Sequence, residues 1–122
     1  LKDKYGCVPA EFVSLADGGG ALTVKALQDE TVQVVDLYST TPAITQNNFV
    51  MLEDPKNMIP AQQVLPIINT KRVPEDAQAV LNRISAVLTT DDLRSLNDEV
   101  SGDKKLDPST AAANWLKDKG LL

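Results

Sequence analysis

The chain has 122 residues, 43% hydrophobic and 24% charged, a balance that suits a domain with a core and excludes global disorder. Net charge is −5 and the twelve Lys and Arg residues are scattered, which excludes a clustered basic surface for nucleic acid or anionic membranes. With no His and only Cys7, zinc sites of the usual N/S type, Ser-His-Asp triads and Cys-His dyads are excluded as well.

Leu1-Lys2-Asp3-Lys4 is polar and leads straight into folded-looking sequence, so no signal peptide is expected within these residues. Apolar runs span a few residues, far short of the ~20 that a membrane-spanning helix needs. Cys7 has two readings. One is a small, half-buried apolar residue; the other is half of a disulfide with a partner outside this chain, implying an oxidising compartment.

Glu11-Phe12-Val13-Ser14-Leu15 is a short strand candidate, followed by the loop Ala16-Asp17-Gly18-Gly19-Gly20 and a helix from Ala21 to Gln28. Asp29-Glu30-Thr31 turns the chain into Val32-Gln33-Val34-Val35-Asp36-Leu37-Tyr38. This run is apolar on both faces, as expected of a covered parallel strand. Strand, helix and strand together predict a βαβ unit and an α/β fold class. Asn48–Glu53 is a further strand candidate, then Gln62–Asn69, where Pro66 argues for an edge or a bend.

From Pro74 onward the period becomes helical. Ala77, Val80, Leu81, Ile84, Val87 and Leu88 form one stripe. Thr89-Thr90-Asp91-Asp92 supplies a cap for a second helix carrying Leu93, Leu96 and Val100. Asp107-Pro108 starts a third, with Ala112, Trp115, Leu116 and Lys119 on one face and Gly120 as C-cap. Three amphipathic helices need a sheet to lie on, and the strands available are few. The mismatch predicts that a partner segment is missing.

The Gly18-Gly19-Gly20 loop lacks GxGxxG spacing and no GK[ST] follows, so a tight turn needing positive φ is preferred over a phosphate site. Of the pairs Glu53-Asp54, Asp91-Asp92 and Asp98-Glu99, the first lies in an expected turn, Glu53–Asn57, and sequence neighbours point to different sides of a helix; two of the pairs sit at caps or on solvated faces, so none reads as catalytic carboxylates. Trp115 reads as core. Tyr38-Ser39-Thr40-Thr41 has two readings that stay open: a ring and hydroxyls holding a small polar solute at a strand's carboxyl end, or a Ser/Thr turn closed by its own side chains before Pro42. No nucleophile–base pair is visible, so the chain is read as non-enzymatic.

Three blocks, DGGGALTVKALQDETVQVVDLYSTTPAI, FVMLEDPKNMIPAQQVLPIINTK and LTTDDLRSLNDEVSGDKKLDPSTAAANWLKDKGLL, closely resemble the C-terminal part of osmoprotectant-binding proteins. These are the glycine betaine/choline-type solute-binding subunits of ABC importers. The resemblance implies periplasmic binding protein-like (type II) α/β lobes, present only in part. Residues 1–41 would end the second lobe, 42–48 cross over, and 49–122 return to the first lobe with its C-terminal helices.

The family's strand-end motif, an aromatic followed by two hydroxyl residues, matches Tyr38-Ser39-Thr40; the Asp that usually follows is replaced by Thr41-Pro42. The stretch written FFPPYNAAP in the family corresponds to Met58 to Pro66, with Gln62 at the position of a cage tyrosine. Quaternary ammonium recognition leans on cation–π contacts, whereas Gln62 and Gln63 can hydrogen-bond hydroxylated or amide-bearing solutes. The implied ligand-binding residues are Tyr38, Ser39, Thr40, Gln62 and Gln63, with Asp17 and Gly18 at the rim.

The implied partners are a small solute, the importer's membrane subunits, and a missing N-terminal half or a second copy of the chain. No cofactor, metal or nucleic acid is implied. The implied location is extracytoplasmic, the periplasm or the outer face of the cytoplasmic membrane, with any lipid anchor outside these residues. A ligand-sensing domain of a regulator with similar lobes is the alternative from another class, and a polyol or other hydroxylated solute is the alternative ligand.

Overall fold

The computed structural model describes residues 1–122. Six helices follow in chain order: α1 Lys2–Tyr5, α2 Ala21–Gln28, α3 Ala43–Gln46, α4 Glu75–Val87, α5 Thr90–Ser101 and α6 Pro108–Asp118. The chain divides into two compact units, Leu1–Ala61 with α1–α3 and Gln62–Leu122 with α4–α6.

The helical expectations hold because their signals are local. α2 spans Ala21–Gln28 as predicted. α5 begins at a reciprocal cap: Thr89 Oγ1 accepts from Asp92 N at 3.1 Å, while Asp92 Oδ2 accepts from Thr89 N at 2.9 Å and from Thr89 Oγ1 at 2.7 Å. α6 starts with Asp107 as N-cap, Oδ2 accepting from Ser109 N and Thr110 N, and Pro108 at its first position. It ends in a paired turn, Gly120 N to Lys117 O and Leu121 N to Leu116 O, both 2.9 Å, with Gly120 at φ 65°. α1 and α3 were not anticipated. Each is a single turn, too short to show a period.

The strand expectations are corrected. No strand forms at Glu11–Leu15, Val32–Tyr38, Asn48–Glu53 or Gln62–Asn69, and so the βαβ unit and the α/β sheet are absent from this chain taken by itself. Residues 8–16, 33–37, 50–53 and 60–68 neither donate nor accept a backbone–backbone hydrogen bond. A strand exists only when a neighbouring backbone supplies its ladder. Their side chains lie open accordingly: Phe12 and Val50 are each 85% exposed and Ile67 97%.

Burial tells the same story. Only Ile44 and Ala111 form a buried apolar core, with Thr23 the one buried polar residue. The α4 stripe stays half-open, Val80 and Val87 being exposed. The chain exposes 9749 Å². Surface scaling gives about 6,400 Å² for a folded protein of this mass, and about 7,700 Å² even for two independent halves. The excess, on the order of 2,000 Å², is in the range of an obligate interface.

In the first unit, residues fifty positions apart are tied by a polar clasp. The Tyr5 hydroxyl donates to Asp54 Oδ1 and accepts from Lys56 N at 2.9 Å. Asp54 Oδ2 accepts from Ile59 N at 2.8 Å. Lys4 Nζ donates to the carbonyls of Lys56 (3.1 Å) and Asn57 (2.7 Å), and Lys56 Nζ returns a bond to Lys4 O at 2.5 Å while lying 5.2 Å from the Tyr5 ring centre. The Tyr5 hydrogen bond, with backbone donors behind it, holds the Asp54 carboxyl below its usual range. Desolvation first, then Asp54, pushes the Tyr5 phenol up.

In the second unit α5 and α6 pack on each other. Lys119 Nζ pairs with Asp92 Oδ1 at 2.9 Å and lies 5.7 Å from the Trp115 ring centre. Trp115 Nε1 is buried without a hydrogen bond of good geometry, although the indole sits near enough to Asp92 to favour its ionised form. The expected core role of Trp115 is thus met only in part: the residue is half-buried. Thr89 first, then Lys119 and Trp115, hold the Asp92 carboxyl far below the ordinary carboxylate range. A depressed folded-state value means that this contribution is complete above the unfolded value of about 4 and is lost as pH falls below it. Asp92→Asn is therefore expected to flatten the acid-side loss of α5–α6 stability, and Thr89→Ala to cost about 1 kcal/mol at neutral pH. Urea titrations followed by Trp115 fluorescence between pH 7 and pH 3 measure both.

Candidate functional site

The Asp17–Gly20 loop takes its shape from helix capping. Asp17 Oδ2 accepts from Leu22 N (2.8 Å) and Thr23 N (3.0 Å), and Oδ1 accepts from the Thr23 hydroxyl at 2.6 Å. Both carboxylate oxygens therefore serve the start of α2, whose first amides have no partner inside the helix. The Thr23 hydroxyl, then its amide, holds the Asp17 carboxyl below its usual range against a smaller opposing desolvation. Gly18 and Gly19 have φ of 61° and 82°, as the tight-turn reading expected.

Gly19 also settles what lies beside this loop. A Cβ built there would stand 3.3 Å from Asp36 O and 3.3 Å from Leu37 Cδ2. The glycine loop thus abuts the backbone just before Tyr38, and the first unit brings the expected rim together with the approach to the hydroxyl cluster. Tyr38–Thr41 is a turn closed by Thr41 N donating to Tyr38 O at 2.9 Å, so a backbone bond closes it. Ile44 N to Thr41 O and Thr45 Oγ1 to Pro42 O carry the chain into α3, which the buried Ile44 anchors. Gln28 Nε2 donates to Asn47 Oδ1 at 2.6 Å and joins the end of α2 to the end of α3. Tyr38 and Ser39 are exposed and Thr40 is half-buried.

Gln62 and Gln63 are exposed and begin the second unit, inside the bare 60–68 segment. Cys7 is exposed and unbonded, which corrects its reading as a half-buried apolar residue: the segment around it has no neighbour to be buried against. No group of three His, Cys, Asp or Glu side chains converges as a metal site. Asp54 lies in the expected turn, closed by Asn57 N donating to Asp54 O at 3.0 Å, and its carboxylate is the centre of the Tyr5 clasp. Nothing in the sequence marked the Tyr5 contact, since that partner lies 49 positions away.

Apart from Asp17, which is committed to the start of α2, the candidate groups are neutral: a phenol ring, hydroxyls and carboxamides, chemistry that can hydrogen-bond a small polar molecule. A profile of the substrate binding domain of ABC-type glycine betaine transport systems matches residues 1–118. The chain belongs to this family. The family binds substrate rather than transforming it, carries a periplasmic binding protein-like fold and works with ABC transporter membrane subunits, typically outside the cytoplasm. No solved structure is a significant match. No helix of the chain is long and apolar enough to cross a membrane.

Gly19→Ala is expected to destabilise the first unit by roughly 1–2 kcal/mol, because the left-handed backbone penalises a Cβ and this one would crowd Asp36 O. Gly18→Ala, with open space around it, carries the backbone penalty alone. Thermal unfolding of the two variants side by side separates crowding from backbone strain.

Proposed function

We propose that this chain is part of the solute-binding component of an ABC-type osmoprotectant uptake system outside the cytoplasmic membrane. In this reading it holds a small polar solute in a cleft between lobes, with Tyr38, Ser39, Thr40, Gln62 and Gln63 as contacts and the Asp17–Gly18 loop at the rim. The family match over residues 1–118 carries the reading. The packing of Gly19 against Asp36 and Leu37 supports it by setting the rim loop beside the approach to the hydroxyl turn.

The proposal extends to the partner. Four segments without backbone partners and an excess surface on the order of 2,000 Å² support completion of the fold by further polypeptide, either a preceding half of the same protein or a second copy. Residues 1–41 then close the second lobe, 42–48 cross over and 49–122 return to the first. Gln62 in place of a cage tyrosine favours a hydroxylated ligand beside the quaternary amine.

Calorimetric titration of the complete gene product with glycine betaine, choline and a polyol tests the reading. Saturable heat with at least one solute is expected, and a folded protein silent toward all three would overturn it. Tyr38→Ala is expected to weaken a quaternary-amine ligand about tenfold, the loss of roughly 1–2 kcal/mol of cation–π attraction. The 122 residues alone are expected to give no heat at micromolar solute, and saturable binding there would contradict the need for completing polypeptide.

A further inference from the structure

Within the first unit, the turn Tyr38–Thr41 belongs to a longer stretch of overlapping backbone bonds. Thr41 N donates to Tyr38 O at 2.9 Å, Ile44 N to Thr41 O at 3.3 Å, Gln46 N to Pro42 O at 3.1 Å and Asn47 N to Ala43 O at 3.1 Å. Residues 38–47 are thereby linked as one body that carries the Tyr38 ring. That ring is exposed, so its place depends on the backbone beneath it.

Contacts at both ends of α2 tie this body down. Before the helix, Gly19 lies against Asp36 and Leu37, immediately ahead of Tyr38, in a loop that Asp17 fastens to the first amides of α2. At the far end, Gln28 Nε2 donates to Asn47 Oδ1 at 2.6 Å. Asn47 is half-buried, and its Nδ2 donates to Ala43 O at 2.9 Å, which fixes the carboxamide with its oxygen toward Gln28. The eight residues of α2 separate the two contacts by about 12 Å. One contact leaves a body free to pivot, whereas two at that spacing oppose the pivot.

We propose that Gln28 and Asn47 are positioning residues for solute binding, holding the exit of the hydroxyl turn to the end of α2 so that Tyr38 meets the solute already ordered. The inference rests on the reading of Tyr38 as a solute contact. A turn ordered in advance spares the conformational cost that a loose one meets on binding. Gln28→Met removes the donor at similar length, while Gln28→Lys keeps one. Met and Lys match Gln in helix propensity, so α2 itself is left intact.

The test is titration of the complete gene product with glycine betaine, at a temperature where each variant keeps wild-type circular dichroism. Gln28→Met is expected to raise Kd about fivefold, the scale of one net hydrogen bond, and Asn47→Ala at least as much. Gln28→Lys is expected to stay within twofold of wild type. In a Tyr38→Ala background, Gln28→Met is expected to add less than twofold, because its effect passes through that ring. Unchanged affinity in Gln28→Met or Asn47→Ala, when Tyr38→Ala weakens binding, would overturn the proposal. So would an equal loss in Gln28→Lys, or a full fivefold loss in the Tyr38→Ala background, which would mark the bond as merely structural. No heat with glycine betaine, or unchanged affinity in Tyr38→Ala, instead defeats the solute assignment, and this inference falls with it. Hydrogen exchange reads the tether without solute. Protection of the Thr41 and Ile44 amides should fall at least threefold in Gln28→Met and hold in Gln28→Lys, and equal protection in all three proteins would overturn the tether.

Discussion

A peptide group that gives up water must find another hydrogen-bond partner, and everything in this chain follows from how its segments meet that demand. Helices meet it from within, so α2, α4, α5 and α6 form wherever caps and period allow. Strands meet it only through neighbours. Residues 8–16, 33–37, 50–53 and 60–68 have none, and many of their apolar side chains, Phe12, Val34, Val50 and Ile67 among them, are exposed. The missing core is the same fact seen through side chains. Without a ladder there is no sheet, and without a sheet the α4 stripe has nothing to lie on.

This divides what the amino acids disclose from what they withhold. Thr89, Asp107 and Gly120 announce helix ends because each acts on amides or carbonyls within a few positions of itself. Val32–Tyr38 is as strand-like as those signals are helix-like, yet its pattern states only that both faces want cover, not what provides it. The same limit applied to the polar groups. The resemblance sets Asp17 at a cleft rim, and its geometry shows a helix cap, which could be suspected from its place four residues before Ala21. Asp54 could not be resolved in that way, because Tyr5 reaches it across almost fifty residues.

The candidate site is correspondingly half legible. The glycine loop and the hydroxyl turn are both marked in the sequence, and the structure adds that the loop rests on the backbone leading into the turn. Asp17 is spent on Leu22 and Thr23 at the start of α2. An aromatic ring suits a cationic solute, whereas carboxamides suit a hydroxylated one.

The open segments differ in how well they are guarded. Pro9, Pro60 and Pro66 deprive two of them of amide donors and interrupt any continuous zipper. Phe49-Val50-Met51-Leu52 has no such gatekeeper within it, only the acidic Glu53 and Asp54 at one end. Exposed as it is here, this is the stretch most apt to nucleate cross-β stacking between molecules, so the same open backbone that denies the chain a sheet also bears on its solubility.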